Sequence, residues 1–565
     1  MRSAPSTAVY INLLKGCIRE KSLSYARHVY SHLVKHRSHP VCNGLLGDYV
    51  VEVFSTCGSL DEAYRVSQRL PRRSVFCWTS IISSYTNSGR VHEALSLYRE
   101  MKDEGIEPNH STFASLFKAC GSIPHYEEGK KLHKLALKRG FASDAFVGTA
   151  LMNMYNKFGN ISEAESVFRD MSRRDIISWT TMLTLYVDNG HGKKALQLFR
   201  EMQVRCGSAL LDDRVFVVSL QACGILAEEE EALIVDGRST KLMSLDITKA
   251  LHADACQKGY GSNVYVCTTL VNTYGKCGDV SLAEEVFNGL SERNIVSWNA
   301  MFSTYVDLRL GERAFHLYQC MQKEQVGPDD VTFKCILQAC SETGSLEFCK
   351  HVHFHIITLG YDYDPSVAST LIHGYGSCGS MVNAEATFHL LSTHDTVSWS
   401  AFISSHTGEG NCVASLNMYM MSQFSGVQPN EITFTAVLVA CSHAGLVDEG
   451  ETCFVNMSQS HGMFLDLEHY TCMVDIFGRA GHLDKAVMAI KEMPCSDYPP
   501  VWAALLGACR KWGYVNLGRF AFKNASQLHS NNDAHYTLMA NIYSASNMKQ
   551  DAEKVQAMRL KMLQS

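Results

Sequence analysis

Five tryptophans recur along the chain at nearly constant spacing, and four of them open segments that resemble one another. These segments read WTSIISSY, WTTMLTLY, WNAMFSTY and WSAFISSH, and successive tryptophans lie 101 to 119 residues apart. The five tryptophans are Trp78, Trp179, Trp298, Trp399 and Trp502. A period of this length exceeds one pair of helices, so each period must contain several smaller units stacked side by side.

Each period divides at Asn or Asp into pieces of 35, 35 and 31 residues. In the piece 75–109, apolar residues recur at helical spacing on both sides of Gly89, and Gly105 and Pro108 follow as signals that end a helix. Each piece therefore predicts two antiparallel helices. With 46% apolar residues and no run long enough to span a bilayer, the chain is predicted to be an all-α solenoid with no membrane partner.

This register runs through the chain after a short leader at 1–6. The array 7–498 contains about fourteen helix-pair units, and 499–565 holds two degenerate extension units. The unit boundaries are 7–43, 44–74, 75–109, 110–144, 145–175, 176–212, 213–263, 264–294, 295–329, 330–364, 365–395, 396–430, 431–466, 467–498, 499–532 and 533–565. Unit 213–263 carries an acidic insertion near 227–248, which is expected to be an exposed loop of unknown role.

The 21 cysteines do not point to metal or disulfides, because they form no C-x-x-C pair and are spread over the repeats. Six of them share position 11 of the longer unit, as small buried residues would: Cys17, Cys120, Cys223, Cys340, Cys441 and Cys509. The formal charge of −6 argues against indiscriminate phosphate binding, and no DNA partner is expected.

Two histidine motifs have spacings that also occur in metal sites. His351, His353 and His355 form H-x-H-x-H, but His353 occupies the same repeat position as His133, which favours a structural role. The triplet 125–127 has the H-x-E spacing of zinc deaminases without a later P-C-x-x-C. We therefore predict no catalytic residue, no metal, no cofactor and no enzymatic activity.

At these residues the sequence resembles the plant pentatricopeptide-repeat family, in the subclass that alternates standard, long and short units. The A-C of the long units, the YGKCG-like turn of the short units and the S-W of the standard units recur together. The stretches ACSHAGLVDEG, EHYTCMVDIFGRAG and VWAALLGACR resemble the terminal units of the family's RNA-editing branch, which often continues into a deaminase-like domain that this chain is expected to lack. The resemblance implies a right-handed superhelix that binds single-stranded RNA.

In this family, position 5 and the last residue of a unit face one base, and an aliphatic residue at position 2 helps to enclose it. Ile177, Val296, Val331 and Val397 fit the aliphatic position. Asp as the last residue accepts the ring N–H of G or U, whereas Asn donates to A or C. Short Thr or Ser at position 5 suits purines and Asn suits pyrimidines.

The resulting pairs predict bases for most standard and short units. They are Thr79/Asn109 for A, Thr149/Asp175 for G, Thr180/Asp212 for G, Thr268/Asn294 for A, Asn299/Asp329 for U, Ser369/Asp395 for G, Ser400/Asn430 for A and, more weakly, Thr435/Asp466 for G. The long units depart from the pattern. The predicted target is 5′-A-n-G-G-n-A-U-n-G-A-n-n, although Asn and Asp at these sites could also serve only as helix caps.

The leading hypothesis is site recognition for organellar C-to-U RNA editing, with a deaminase-bearing or other editing-complex protein recruited through 467–565. An alternative is a factor for transcript stability, splicing or cleavage. A different alternative is a tetratricopeptide-like protein scaffold, which the mixture of 35- and 31-residue units disfavours. Only six residues precede the first unit, leaving little room for a transit peptide, and a mitochondrial location is slightly favoured over a plastid one.

Overall fold

A computed structural model describes residues 7–35, 44–122, 126–207, 211–235, 238–495, 497–528 and 533–564. Within these ranges the chain forms 32 helices and two short strands. The all-α class predicted from the sequence is confirmed. Residues 1–292 and 293–565 form two compact units, here called the N-terminal unit and the C-terminal unit.

The N-terminal unit contains helices α1 to α16 and both strands. Their bounds are α1 Thr7–Glu20, α2 Leu23–Lys35, α3 Leu45–Thr56, α4 Leu60–Gln68, α5 Val75–Asn87, α6 Val91–Asp103, α7 His110–Ser122, α8 Tyr126–Lys138, α9 Ala145–Lys157, α10 Ile161–Asp170, α11 Ile176–Asp188, α12 Gly192–Cys206, α13 Asp213–Glu229, β1 Leu233–Val235, β2 Arg238–Thr240, α14 Leu242–Gln257, α15 Val264–Cys277 and α16 Val280–Asn288.

The C-terminal unit contains α17 to α32. Their bounds are α17 Ile295–Asp307, α18 Gly311–Lys323, α19 Asp330–Thr343, α20 Leu346–Thr358, α21 Pro365–Ser377, α22 Met381–Leu390, α23 Thr396–Gly408, α24 Cys412–Phe424, α25 Glu431–Ala444, α26 Val447–Gln459, α27 Leu467–Ala480, α28 Leu483–Glu492, α29 Pro499–Trp512, α30 Val515–Leu528, α31 Asp533–Ala545 and α32 Lys549–Gln564. Each repeat range thus holds an odd-numbered first helix and an even-numbered second helix.

Each first helix packs against its own second helix, and within each compact unit it also packs against the first helices of neighbouring repeats, as α7 does with α8, α5 and α9. The repeated tryptophans lie inside this layer: Trp78, Trp179 and Trp298 are each at most 1% exposed. Burial of large apolar side chains in every repeat supplies a hydrophobic core within each compact unit. No helix in the described ranges is long and apolar enough to cross a membrane.

The turn between two helices of a repeat depends on a left-handed residue. Gly89 has φ of 75°, and its N–H donates to the Thr86 carbonyl while the next N–H, of Arg90, donates to the Tyr85 carbonyl. This pattern satisfies carbonyls at the end of α5 and reverses the chain within a few residues. Glycine adopts such a φ without the steric penalty of a side chain.

The acidic insertion of 213–263 is exposed over much of its length, as expected, but it forms helix and hairpin rather than the expected loop. α13 extends to Glu229, and β1 and β2 form an antiparallel hairpin in which Leu233 lies opposite Thr240. The Glu230 carboxylate accepts from the backbone N–H groups of Met243 and Ser244, both at 2.9 Å, and thereby caps α14. Tertiary contacts that a run of glutamates does not reveal therefore order this segment.

The repeated histidines link neighbouring units. His133 Nδ1 lies 2.7 Å from the Tyr155 hydroxyl, and His353 Nδ1 lies 2.8 Å from that of Tyr375. Burial lowers the pKa of both histidines. His355 instead lies against Tyr318, so the H-x-H-x-H motif serves inter-helix hydrogen bonds. No group of three potential metal ligands occurs among the residues described, and His125 of the H-x-E motif lies outside them.

Candidate nucleic-acid interface

One face of the first helices α5, α7 and α9 lines a surface groove. In the N-terminal unit, a cavity of about 610 Å³ runs across α5, α7 and α9. Its lining comes mainly from repeat positions 5, 6, 9, 12 and 13, which share one face of a helix, together with the last residue of a unit and position 2. Thr149, Asp175 and Ile177 line this cavity together. The structure thus brings one predicted pair and its aliphatic neighbour to a common surface.

The last residue of each assigned unit caps the next first helix. One side-chain oxygen accepts the backbone N–H three residues later at 2.8 to 2.9 Å. The capping residues are Asn109, Asp175, Asp212, Asn294, Asp329, Asp395, Asn430 and Asp466. Capping occupies one oxygen only, so Asp keeps a second acceptor oxygen and Asn keeps its NH₂ donor.

Two predicted pairs make direct contact. Asn299 Nδ2 donates to both carboxylate oxygens of Asp329, at 3.0 and 3.1 Å. Burial raises the pKa of Asp329, but hydrogen bonds from Thr332 and Asn299 outweigh burial and lower it overall. Ser400 Oγ lies 3.0 Å from Asn430 Oδ1. Position 5 and the last residue therefore meet at the start of the following first helix.

Two further pairs are joined through a third side chain. Thr79 Oγ1 lies 2.7 Å from Thr112 Oγ1, which donates to Asn109 at 2.9 Å. Likewise, Thr435 Oγ1 lies 3.2 Å from His469 Nε2, and the other ring nitrogen of His469 lies 2.6 Å from Asp466. The residue three positions after the cap thus completes the site in both units.

Three other position-5 hydroxyls share one local contact, whereas the Thr268 hydroxyl is buried without a hydrogen-bond partner among the described residues. Thr149, Thr180 and Ser369 donate their hydroxyl protons to the carbonyl four residues earlier, at 2.7 to 2.8 Å. Each hydroxyl oxygen retains an acceptor lone pair; Thr149 and Thr180 are partly exposed, whereas Ser369 is buried. Thr268, which is half-buried, belongs to the N-terminal unit, whereas Asn294 belongs to the C-terminal unit.

Position 2 presents apolar side chains to solvent. Ile177 is 61% exposed, and Val296, Val331 and Val397 are also exposed. Phe146 and Tyr265, which were not predicted from the sequence, occupy the same repeat position and are also exposed; Phe146 lines the cavity around Thr149. Their place at position 2 of units 145–175 and 264–294 was the sequence signal that could have identified them. Exposed aromatic rings at this position can stack on nucleobases.

Three long units, 110–144, 213–263 and 330–364, end in a different cap geometry. Asp144, Asn263 and Asp364 each use one oxygen to accept two N–H groups, two and three residues later. Their backbone differs as well, with ψ of 135° at Asp144 against 174° at Asp175. Because the side chain leaves the backbone in another direction, the departure of the long units from the pair pattern has a structural counterpart.

Comparison with known proteins identifies the repeats. The profile of the PPR repeat family matches residues 73–122 and 293–342, and the PPR repeat profile matches 149–176, 177–206, 265–295, 432–461 and 468–498. In Arabidopsis thaliana, pentatricopeptide repeat-containing protein At5g39350 is 33% identical over 99% of this chain and 80% of its own length. Protein At2g03380, mitochondrial, is 30% identical over 97% of this chain and 76% of its own length. Protein At1g11290, chloroplastic, is 30% identical over 98% of this chain and 65% of its own length.

The fold is shared with a solved structure, the pentatricopeptide repeat protein PPR10 from maize. It aligns with a TM-score of 0.55 at 16% identity, covering 100% of this chain and 90% of PPR10. PPR10 in complex with an 18-nt psaJ RNA element aligns with a TM-score of 0.54 at 15% identity, covering 100% of this chain and 85% of that one. The helix pairs, the matched repeat profiles and the relatives that align over nearly all of this chain together show that it belongs to the pentatricopeptide-repeat family.

Proposed function

We propose that this protein binds single-stranded RNA in a sequence-specific manner and acts in organellar RNA processing. The observation that carries the proposal is the convergence, in four of the eight assigned pairs, of position 5 on a helix-capping Asp or Asn whose second polar group is not used by the cap. The RNA complex of PPR10 supports RNA as the ligand class, and the names of the mitochondrial and chloroplastic relatives support an organellar location.

The cap itself would define what each unit reads. Because Oδ1 of Asn294 accepts the Ser297 N–H, its NH₂ group is the part left for a ligand, and that group can only donate. Adenine N1 and cytosine N3 accept such a bond. An Asp in the same place offers only an acceptor, which suits the ring N–H of guanine or uracil. Capping and base reading are thus compatible roles of one side chain.

The proposed target is 5′-A-n-G-G-n-A-U-n-G-A-n-n, read in parallel orientation with one base per unit. The finer proposal is recognition of a C-to-U editing site, with the edited C about four nucleotides 3′ of the last n. In that scheme the protein is a binding factor, and a partner recruited through 467–565 supplies the deaminase. Transcript stability or splicing would use the same groove without this partner. A mitochondrial rather than plastid location remains the favoured expectation.

The test is an electrophoretic-shift assay with the recombinant chain at physiological salt. It compares the proposed RNA with the same RNA carrying G at the U assigned to Asn299/Asp329, and with an unrelated sequence. We expect preference for the first RNA, by about 1–3 kcal/mol per mismatched base. Asn299→Thr should transfer the preference to the G-bearing RNA.

A matched control is Lys334→Thr, which changes position 5 of a long unit, where no base is assigned. This variant should leave the preference unchanged. Equal binding of all three RNAs would refute the base assignment, and absence of binding would favour a protein-scaffold role.

A further inference from the structure

Trp512 differs from the other tryptophans of the repeats because it lies at the surface. The repeated tryptophans are at most 5% exposed, whereas Trp512 is 46% exposed at the end of α29. Its indole N–H donates to the Gly478 carbonyl at 2.8 Å, which ties the ring to the preceding repeat. An exposed indole held by a hydrogen bond loses little further conformational freedom when a ligand stacks on it.

The turn after α27 leaves space for the indole ring of Trp512 because residue 481 is glycine. Gly481 ends α27 with φ of 85°, and a Cβ built at Gly481 would come within 3.0 Å of the indole. A side chain larger than hydrogen would therefore displace the ring from this position. The indole lies against Gly481 and remains partly accessible, as a stacking platform requires.

The basic side chains of Lys511 and Arg479 lie close to Trp512. The Lys511 ammonium lies 5.3 Å from the centre of the indole ring and donates to the Arg479 carbonyl at 2.8 Å. Arg479 is exposed and is paired with Asp475 at 2.8 Å, which offsets part of its charge. A guanidinium has five N–H donors, so this pair leaves others for a phosphate. Arg510, next to Lys511 in the sequence, is exposed as well.

These residues fall at the groove positions defined in the N-terminal unit. Lys511 and Arg479 occupy position 13 of their repeats, as do the groove-lining Asn87, Ser122 and Lys157. Along the C-terminal unit, position 13 changes from acidic or neutral to basic: Asp307, Glu342, Ser377, Gly408, His443, Arg479 and Lys511. The electrostatic character of this edge thus becomes favourable to phosphates only toward α29.

The rest of the α29 groove face carries no base-reading side chains. Positions 5, 6 and 9 are Ala503, Ala504 and Gly507, and a Cβ built at Gly507 would meet nothing within 4 Å. A surface of small residues followed by cations and an indole suits a nucleotide held by stacking and charge rather than by hydrogen bonds to its edge.

We propose that Trp512, with Lys511 and Arg479, forms a sequence-independent site for the RNA nucleotides immediately 3′ of the bases read by the array. This site rests on the proposed RNA-binding function and on the parallel orientation. It gives 499–532 a direct contact with RNA, in addition to any role in partner binding. In the editing scheme, the site would hold the segment between the recognised bases and the edited C.

The test uses two RNAs and the full chain. One RNA is the 12-nt target with U at each unassigned position, and the other carries two further adenosines at its 3′ end. The extension should increase affinity by about fivefold or more, which is the lower end of what one stacked base contributes. It should also quench the emission of the exposed tryptophan, because the other five are buried. Two adenosines added at the 5′ end should do neither.

Variants separate stacking from a structural role. Trp512→Ala should abolish the gain from the 3′ extension, Trp512→Phe should retain most of it, and Lys511→Gln should reduce both the gain and its salt dependence. The control is Phe424→Ala, an aromatic residue that is 87% exposed at the end of the second helix α24, and it should keep the full gain.

Three outcomes would overturn the site. If the 12-nt RNA binds selectively but the extension neither adds affinity nor quenches fluorescence, Trp512 serves another purpose, such as docking a protein. If Trp512→Ala weakens binding of both RNAs equally and lowers helicity, its role is structural. If neither RNA binds, the proposed function fails together with this site.

Discussion

Asp175 offers a way to separate helix capping from base reading in a single residue. Its Oδ1 accepts the Ser178 N–H at 2.8 Å at the start of α11, and it shares a cavity with Thr149 and Ile177. Asp175→Asn preserves the capping oxygen but replaces the second acceptor with an NH₂ donor. Asp175→Ala removes both the cap and the polar group.

The two variants should differ in stability and in specificity. Since Asn and Asp are comparable caps, Asp175→Asn should change the free energy of unfolding by only a few tenths of a kcal/mol, whereas Asp175→Ala should cost about 1 kcal/mol. Asp175→Asn should also exchange preference at the third base of the target from G to A, by about 1–3 kcal/mol. Asp175→Ala should lose discrimination there without gaining a preference for A.

The measurements are denaturant unfolding and competition binding with target RNAs that differ only at the third base. Ser143, which is half-buried one position before the cap Asp144 of a long unit, provides a control as Ser143→Ala, which should leave base preference unaltered. The reasoning would be refuted if Asp175→Asn kept the wild-type preference for G while its stability was unchanged. Asp175 would then be a cap and nothing more.

Three further predictions concern acid sensitivity, the hairpin and the groove. Burial lowers the pKa of His133, His252 and His353 below the ordinary value of 6.5. The free energy of unfolding should therefore be highest above about pH 6.5 and should decrease as pH falls from that value through the pKa values of the folded state, because the unfolded chain binds these protons first. The thermal midpoint of unfolding should be lower at pH 5.5 than at pH 7.5, and the difference should be smaller in His353→Asn. Equal midpoints at the two pH values would contradict this. Gly278→Ala should lower the thermal midpoint more than Gly513→Ala does. Both glycines have positive φ, but only a Cβ at Gly278 would overlap the Ser239 carbonyl oxygen of the hairpin. Similar losses in the two variants would show that the hairpin does not pack there. Phe146→Ala should weaken binding of the target RNA about fivefold or more without changing base preference, as measured by competition binding, and unchanged affinity would exclude stacking at position 2.

Much of the architecture was predictable because repetition makes each local signal recur. The spacing of the tryptophans, the glycine turns and the final Asn or Asp of each unit set the helix-pair pattern, and the helix bounds follow these signals closely. Features that occur only once in the chain were harder to predict from the sequence. The glutamate-rich insertion suggested a solvated loop, yet Glu230 caps α14 and the hairpin packs beside Gly278.

For the candidate site, the sequence determined which residue types stand at position 5 and at the end of each unit. Only the tertiary structure decided what those side chains can offer, because the cap consumes one oxygen and contacts such as Asn299 with Asp329 join residues about thirty positions apart. It also separated three of the long units by their cap geometry and placed Trp512 at the surface. These outcomes depend on how consecutive repeats pack, which the repeat pattern alone does not encode.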